Sequence, residues 1–240
     1  MTLTHIPGEQ RHHWWNEWLD SQQSFPATGN YDLPANAHGL LMVHNEDTVS
    51  PGEGFDSHQH ENMEILTWVL EGTLEHTDSE GHSGLIRPGL IQRMSAGTGI
   101  RHTERNASSL TGRDKLRVVQ MWIPPDTDGR VPSYDERDVR DELANGELVC
   151  VASGIPGRSG VNIGNRFAAL HVARLEPGQS ITVPDAPFGH VFVADGSTVF
   201  EDIGDLAQGD AVRLTSTGGH RVTASTASEI MIWEMHATFA

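Results

Sequence analysis

Short runs of β-branched and aromatic residues, each closed by glycine or proline, fill this chain from Gly39 onward. Met63–Leu70 stops at Glu71-Gly72, Gly84–Arg87 at Pro88-Gly89, and Leu116–Ile123 at Pro124-Pro125. Such runs read as strands, and their close spacing reads as a sandwich or barrel. Long helical periodicity is missing. The expected class is all-β. Further strands are expected at Thr73–Thr77, Ile91–Met94, Glu147–Ala152, Phe167–Leu175, Val191–Val193, Thr198–Phe200, Ala211–Leu214 and Glu229–Met235. The best helix candidate is Asp135–Leu143. Residues 1–35 read as an irregular segment that packs Trp14, Trp15 and Trp18 on a barrel as a cap. His12 and His13 are adjacent, so a strand would turn them to opposite faces and make a poor chelate.

Pro124-Pro125-Asp-Thr-Asp-Gly129 interrupts the pattern and predicts a boundary, giving units 1–130 and 131–240. A faint repeat relates them. Pro51-Gly52 matches Pro177-Gly178, Trp68-Val-Leu-Glu-Gly72 resembles Phe192-Val-Ala-Asp-Gly196, and Pro88-Gly89 falls near Gln208-Gly209. His102 corresponds to His220, and His190 falls near the place of Glu64.

The chain has 240 residues, 37% of them hydrophobic, enough for a core, and no apolar run approaches the length of a membrane span. The first twenty residues lack the basic and apolar regions of a signal peptide, so a cytoplasmic location is expected. A single cysteine, Cys150, excludes an internal disulfide and a thiolate-rich metal site. The net charge of −17 disfavours direct binding to nucleic acid.

The chemistry concentrates in two clusters. His58-Gln-His60 puts two imidazoles on one face of a strand, with Glu64 following. His102-Thr-Glu104 is a second i, i+2 pair. Three imidazoles and a carboxylate suit a divalent transition metal such as Fe, Mn, Co, Ni, Cu or Zn. They do not suit calcium or magnesium, which take oxygen shells. Glu64 and Glu104 compete for the fourth ligand position, and the other would act around the metal or as a general base. In the second unit Pro184 and Ala186 stand where His58 and His60 stand in the first, so no catalytic metal is expected there. Gly97-Thr-Gly99-Ile-Arg-His102 breaks the dinucleotide fingerprint at its last position. Met63, Trp68 and Met94 are expected to line one interior.

These residues resemble a known family. Gly52, His58, His60 and Glu64 follow the first cupin motif, with its closing glycine one residue late at Gly72. Gly89, Ser95, Gly97 and His102 resemble the second, with serine where proline is usual and two extra residues before the histidine. Those departures are typical of pirins. Met94-Ser-Ala-Gly-Thr-Gly-Ile-Arg-His-Thr-Glu104 is similar to the pirin metal-binding stretch, and Trp18-Leu-Asp20, His44-Asn-Glu-Asp47, Val69-Leu-Glu-Gly72 and Glu75-His-Thr-Asp-Ser79 also match.

The resemblance implies two cupin barrels in tandem, the first bearing a metal and the second degenerate. It also implies His58, His60, His102 and Glu104 as the ligands. Two activities follow from it. One is a metal-dependent dioxygenase cleaving a flavonol such as quercetin, or a related enol, with O2. Glu104 or Glu64 would take the substrate's proton, and carbon monoxide would leave. The other is a metal-bearing regulatory or redox-sensing protein that acts through a protein partner without turnover. An open apolar pocket over the metal favours the enzyme, and a closed barrel favours the binder.

Overall fold

The computed structural model describes residues 1–25 and 32–239. Two barrels account for nearly all of it. The first is a seven-stranded sheet facing a four-stranded one, and the second repeats that pair. The four-stranded sheet of the first barrel is built from Gly54–His60, Ile100–Asn106, Leu74–Asp78 and Ser83–Ile86. Its large sheet centres on Glu64–Glu71, Leu116–Ile123 and Val43–Val49. In the second barrel Ala168–Leu175, Ser228–Met235 and Phe188–Asp195 hold the corresponding places. The double-barrel, all-β expectation stands. Among the described residues no helix is long and apolar enough to cross a membrane.

Period-two alternation explains how one sheet serves two cores. On Glu64–Glu71, Leu66 and Trp68 face the other barrel and join Val119, Met121, Leu170, Val172, Phe192 and Trp233 in the core between the large sheets. Each such fully buried side chain contributes about 1.5–3 kcal/mol. Trp68 Nε1 donates to Glu229 Oε1 at 2.5 Å, and Trp233 Nε1 donates to Met121 Sδ at 3.3 Å, so each barrel satisfies the other's indole. Ile65 and Val69, the odd residues, point into their own barrel. The expected shared interior of Met63, Trp68 and Met94 therefore holds only in part. Met63 and Met94 pack with Ile65, Ala96 and Ile100, while Trp68 lies on the opposite face of its strand.

Within the first barrel a polar row runs between two apolar clusters. Gln92 pairs with Thr67, Thr67 with Gln120, Gln120 with Asn45, Asn45 with Gln23, and Gln23 with His12. Paired residues share a face, so the row is one polar stripe across the sheet.

The structure corrects two expectations. The segment before residue 26 is not irregular, because it holds the strands Thr2–Ile6, His12–Trp15 and Leu19–Gln23. The last two extend the first barrel's sheet beside Val43–Val49. Leu19–Gln23 is mostly polar and His12–Trp15 is only four residues long, so neighbouring strands decide their conformation. The reading of residues 26–31 lies outside the described residues. Asp135–Leu143 is not a helix either. Ser133–Asp138 is a strand paired with Leu90–Ser95, and only Arg140–Leu143 is helical. Its charged residues look helix-forming, but they are also what protects an exposed edge strand.

Edge strands are exchanged across the expected boundary at residue 130. Thr2–Ile6 pairs with Ala211–Thr215 in the second barrel, and Ser133–Asp138 completes the first. The repeat survives in the turns. Gly72 and Gly196 both take positive φ, 82° and 75°, and a Cβ at either would lie within 2.5 Å of a backbone oxygen.

Candidate metal centre

Three strands of the small sheet bring the imidazoles together. Ile100–Asn106 lies between Gly54–His60 and Leu74–Asp78. His102 stands opposite His58 on one side and Asp78 on the other, while Glu104 stands opposite His76. The register shifts between His102 and Glu104, so Glu104 faces Phe55 across the first pair. Alternate residues point inward, which places His58, His60, His102, Glu104 and His76 in one interior.

Ring centres of His58 and His102 lie 4.3 Å apart, those of His58 and His60 4.9 Å, and those of His60 and His102 5.1 Å. The potential ligand atoms of these three histidines all lie within 4.8 Å of one another. A second group within the same limit comprises His76, His102 and Glu104, all buried. Glu104 Oε2 accepts from Gln120 Nε2 at 2.8 Å.

The donor atoms fit a divalent transition metal. His58 Nδ1 lies 2.8 Å from the carbonyl oxygen of Asp56, which fixes the proton there and leaves Nε2 a lone pair. His60 Nε2 and both nitrogens of His102 are buried without a hydrogen-bond partner among the described residues. Orphaned polar atoms in a barrel interior are costly unless another group meets them. Burial, followed by the neighbouring imidazoles, lowers the pKa of His60 to about 4 and that of His102 to about 3. Both rings are therefore neutral at pH 7, the form that ligates.

A cavity of about 340 Å³ opens onto His58, His60 and Glu104. Trp14, Leu19, Phe55 and Trp122 supply its apolar wall. Asn45, Asp47, Gln120 and His12 supply polar groups from the large sheet. Asn45 Oδ1 and Asp47 Oδ1 are buried without hydrogen-bond partners among the described residues. Burial raises the Asp47 carboxyl to about 6, and Glu104 nearby adds to the shift.

Relatives share this architecture. The pirin family model matches residues 7–123. A Mycobacterium bovis protein provisionally named a quercetin 2,3-dioxygenase is 50% identical over 92% of this chain and 89% of its own length. The chain belongs to the pirin family. An Escherichia coli protein named quercetin 2,3-dioxygenase is 44% identical over 53% of the chain and 54% of its own length. The crystal structure of the bacterial pirin YhhW from E. coli in complex with nickel(II) matches with a TM-score of 0.86 at 28% identity, covering 99% of this chain and 100% of that one.

Against this pirin framework, the sequence readings sort cleanly by geometry. His58, His60, His102 and Glu104 come together around one interior. Glu64 does not join them. Its strand turns it to the face shared with Trp68, where Ser95 Oγ donates to its Oε2 at 2.7 Å and Gly164 packs close against the carboxylate. Even spacing from His60 does not put Glu64 on the same face, because Asn62, between them, takes a left-handed φ of 48° and breaks the strand.

Sequence reasoning missed Asn45, Asp47, Gln120 and the pocket roles of His12 and Trp14. His12 and His13 do face opposite ways, but the inward face of that strand is a pocket wall. In the second barrel His190 is wholly buried beside His44, with ring centres 4.8 Å apart, and His220 meets Thr217 at 2.8 Å and Asp202 at 3.3 Å. Among the described residues, that barrel contributes to no group of three potential ligands.

Proposed function

We propose that the protein is a metal-dependent dioxygenase that cleaves a flavonol, or a related aromatic enol, with O2. The observation that carries this is the cavity over the His/Glu cluster. At about 340 Å³ it falls in the range of small-molecule sites, and its make-up is that of an aromatic pocket with a few convergent polar groups. A closed barrel would have favoured a non-catalytic binder. The names of the relatives point the same way.

His58, His60, His102 and Glu104 would hold the ion, with iron the first expectation. When bound, the ion supplies an electropositive anchor for the substrate's enolate oxygen and a redox partner for dioxygen. The protein residues do the rest. Trp14 and Trp122 hold the planar rings and exclude water. Glu104, the carboxylate beside the imidazoles, takes the proton of the enol hydroxyl, and Gln120 fixes its orientation through the hydrogen bond to Oε2. Glu64 has no part in this, since it faces away from the cavity. Asn45 Oδ1 and Asp47 Oδ1, on the large-sheet wall of the cavity, would accept hydrogen bonds from substrate hydroxyls. The overall reaction takes up both oxygen atoms of O2, breaks two carbon–carbon bonds of the central ring and releases one carbon as CO.

The test is loss of quercetin absorbance in oxygenated buffer, with CO trapped separately. Protein loaded in turn with Fe, Mn, Co, Ni and Cu should turn over with at least one of them and release one CO per flavonol. Fully metallated protein inert with all five would contradict the proposal and favour the regulatory reading.

A further inference from the structure

His76 is an imidazole that the ligand set above does not use. It has no exposed surface, and its Nδ1 has no hydrogen-bond partner among the described residues. It lies on Leu74–Asp78, opposite Glu104 in register and facing the same interior. One face of its ring meets His102, 5.3 Å between centres, and Tyr134 lies at the same distance. Its other nitrogen, Nε2, is 3.5 Å from Asp78 Oδ2.

Asp78 cannot drift from that place. The backbone N–H groups of Glu80 and His82 donate to its Oδ1 at 2.9 and 3.0 Å, and the His82 ring meets Oδ2 at 3.0 Å. A carboxylate only accepts, so it draws the His76 proton to Nε2 and leaves Nδ1 with a bare lone pair. That lone pair sits in the barrel interior beside His102.

His102 has the opposite need. Once one of its nitrogens serves as a ligand, the other carries a proton that must find an acceptor. His58 has such an acceptor in the Asp56 carbonyl; His102 has none among the described residues, where both its nitrogens are unpartnered. Glu104 is committed to the centre and to Gln120. A ligand-capable nitrogen of His76 lies within 4.8 Å of one of His102, and each ring turns about a soft χ2 torsion.

The geometry points to His76 as the positioning partner of His102, accepting its free N–H and locking its tautomer, with Asp78 and His82 behind it as the anchor. The chain His102–His76–Asp78–His82 runs from the metal centre to a half-exposed surface ring. His76 is not itself a ligand in this arrangement. The inference rests on the metal-centre reading, which binding to the unaltered protein tests by itself.

The experiment measures Co(II) affinity by chelator competition, with Cu(II)-loaded samples examined by pulsed EPR to count coordinated imidazoles. The unaltered protein should bind one ion per chain through three imidazoles. His76→Leu should weaken Co(II) binding about 10–100-fold, the usual effect of losing an outer partner, while the imidazole count stays at three. His76→Gln, which can present a carbonyl oxygen to His102, should recover most of the affinity. Asp78→Asn keeps the acceptor oxygen for the turn and turns a donor toward His76. It reverses the His76 tautomer without emptying the core, and should weaken binding in the same direction. It keeps the test open if the leucine variant does not fold. Affinity unchanged in both His76→Leu and Asp78→Asn would overturn the inference. So would a count of four imidazoles in the unaltered protein that falls to three in His76→Leu.

Discussion

Residues act here through strand parity, and the parity is interrupted at identifiable points. His58 with His60, and His102 with Glu104, are legible from sequence because each pair lies within one unbroken strand. Glu64 turns to the opposite face because the left-handed Asn62 resets the count between His60 and Glu64. Asp47, Gln120 and His76 are illegible as site residues because register across the sheets, not local spacing, brings them in. Two outcomes follow. Glu104→Gln should bind metal more weakly and lose turnover more than it loses occupancy, because the amide retains an oxygen donor but cannot take a proton. Elemental analysis paired with the quercetin assay separates the two effects. Trp14→Ala should raise KM about tenfold or more with a smaller change in kcat, because the ring is placed to bind rather than to react. Equal loss in both constants would place Trp14 elsewhere in the chemistry.

At the scale of elements, the central strands are legible because they are apolar and bounded by turns, as Leu116–Ile123 shows. The edge strands are not. Thr2–Ile6 is short and Ser133–Asp138 is mostly charged, and their conformation comes from the partner they pair with in the other half of the chain. Deleting residues 1–6 should therefore destabilise the second barrel while leaving metal affinity intact. Leu3 and Ile6 pack against apolar cores, and losing their partial burial costs about 1–2 kcal/mol each. Urea unfolding monitored by circular dichroism, with Co(II) titration alongside, checks both parts. A large loss of metal affinity would show that the strand supports the first barrel as well.

The molecule as a whole is closed by the core between the large sheets, and that core has a pH-sensitive seam. His44 and His190 lie there in contact, wholly buried, with all four ring nitrogens unpartnered among the described residues. Burial lowers the His44 pKa to about 3, and the His190 pKa falls well below its usual value for the same cause. The unfolded chain, with histidines near 6.5, binds more protons than the folded one between these limits. The stabilisation is complete above pH 6.5 and is lost as pH falls from there toward 3. Unfolding free energy should drop by a few kcal/mol over that window, and His44→Phe should flatten the slope. An unchanged slope would remove His44 from the account.

The central claim is one metal site per molecule, in the first barrel, held by His58, His60, His102 and Glu104. The direct measurement is elemental analysis of protein purified without a histidine tag. The account predicts one transition-metal ion per chain, nearly absent in His60→Ala and retained in both Glu64→Gln and His220→Ala. Full retention in His60→Ala, or a second tightly bound ion lost with His220, would contradict it.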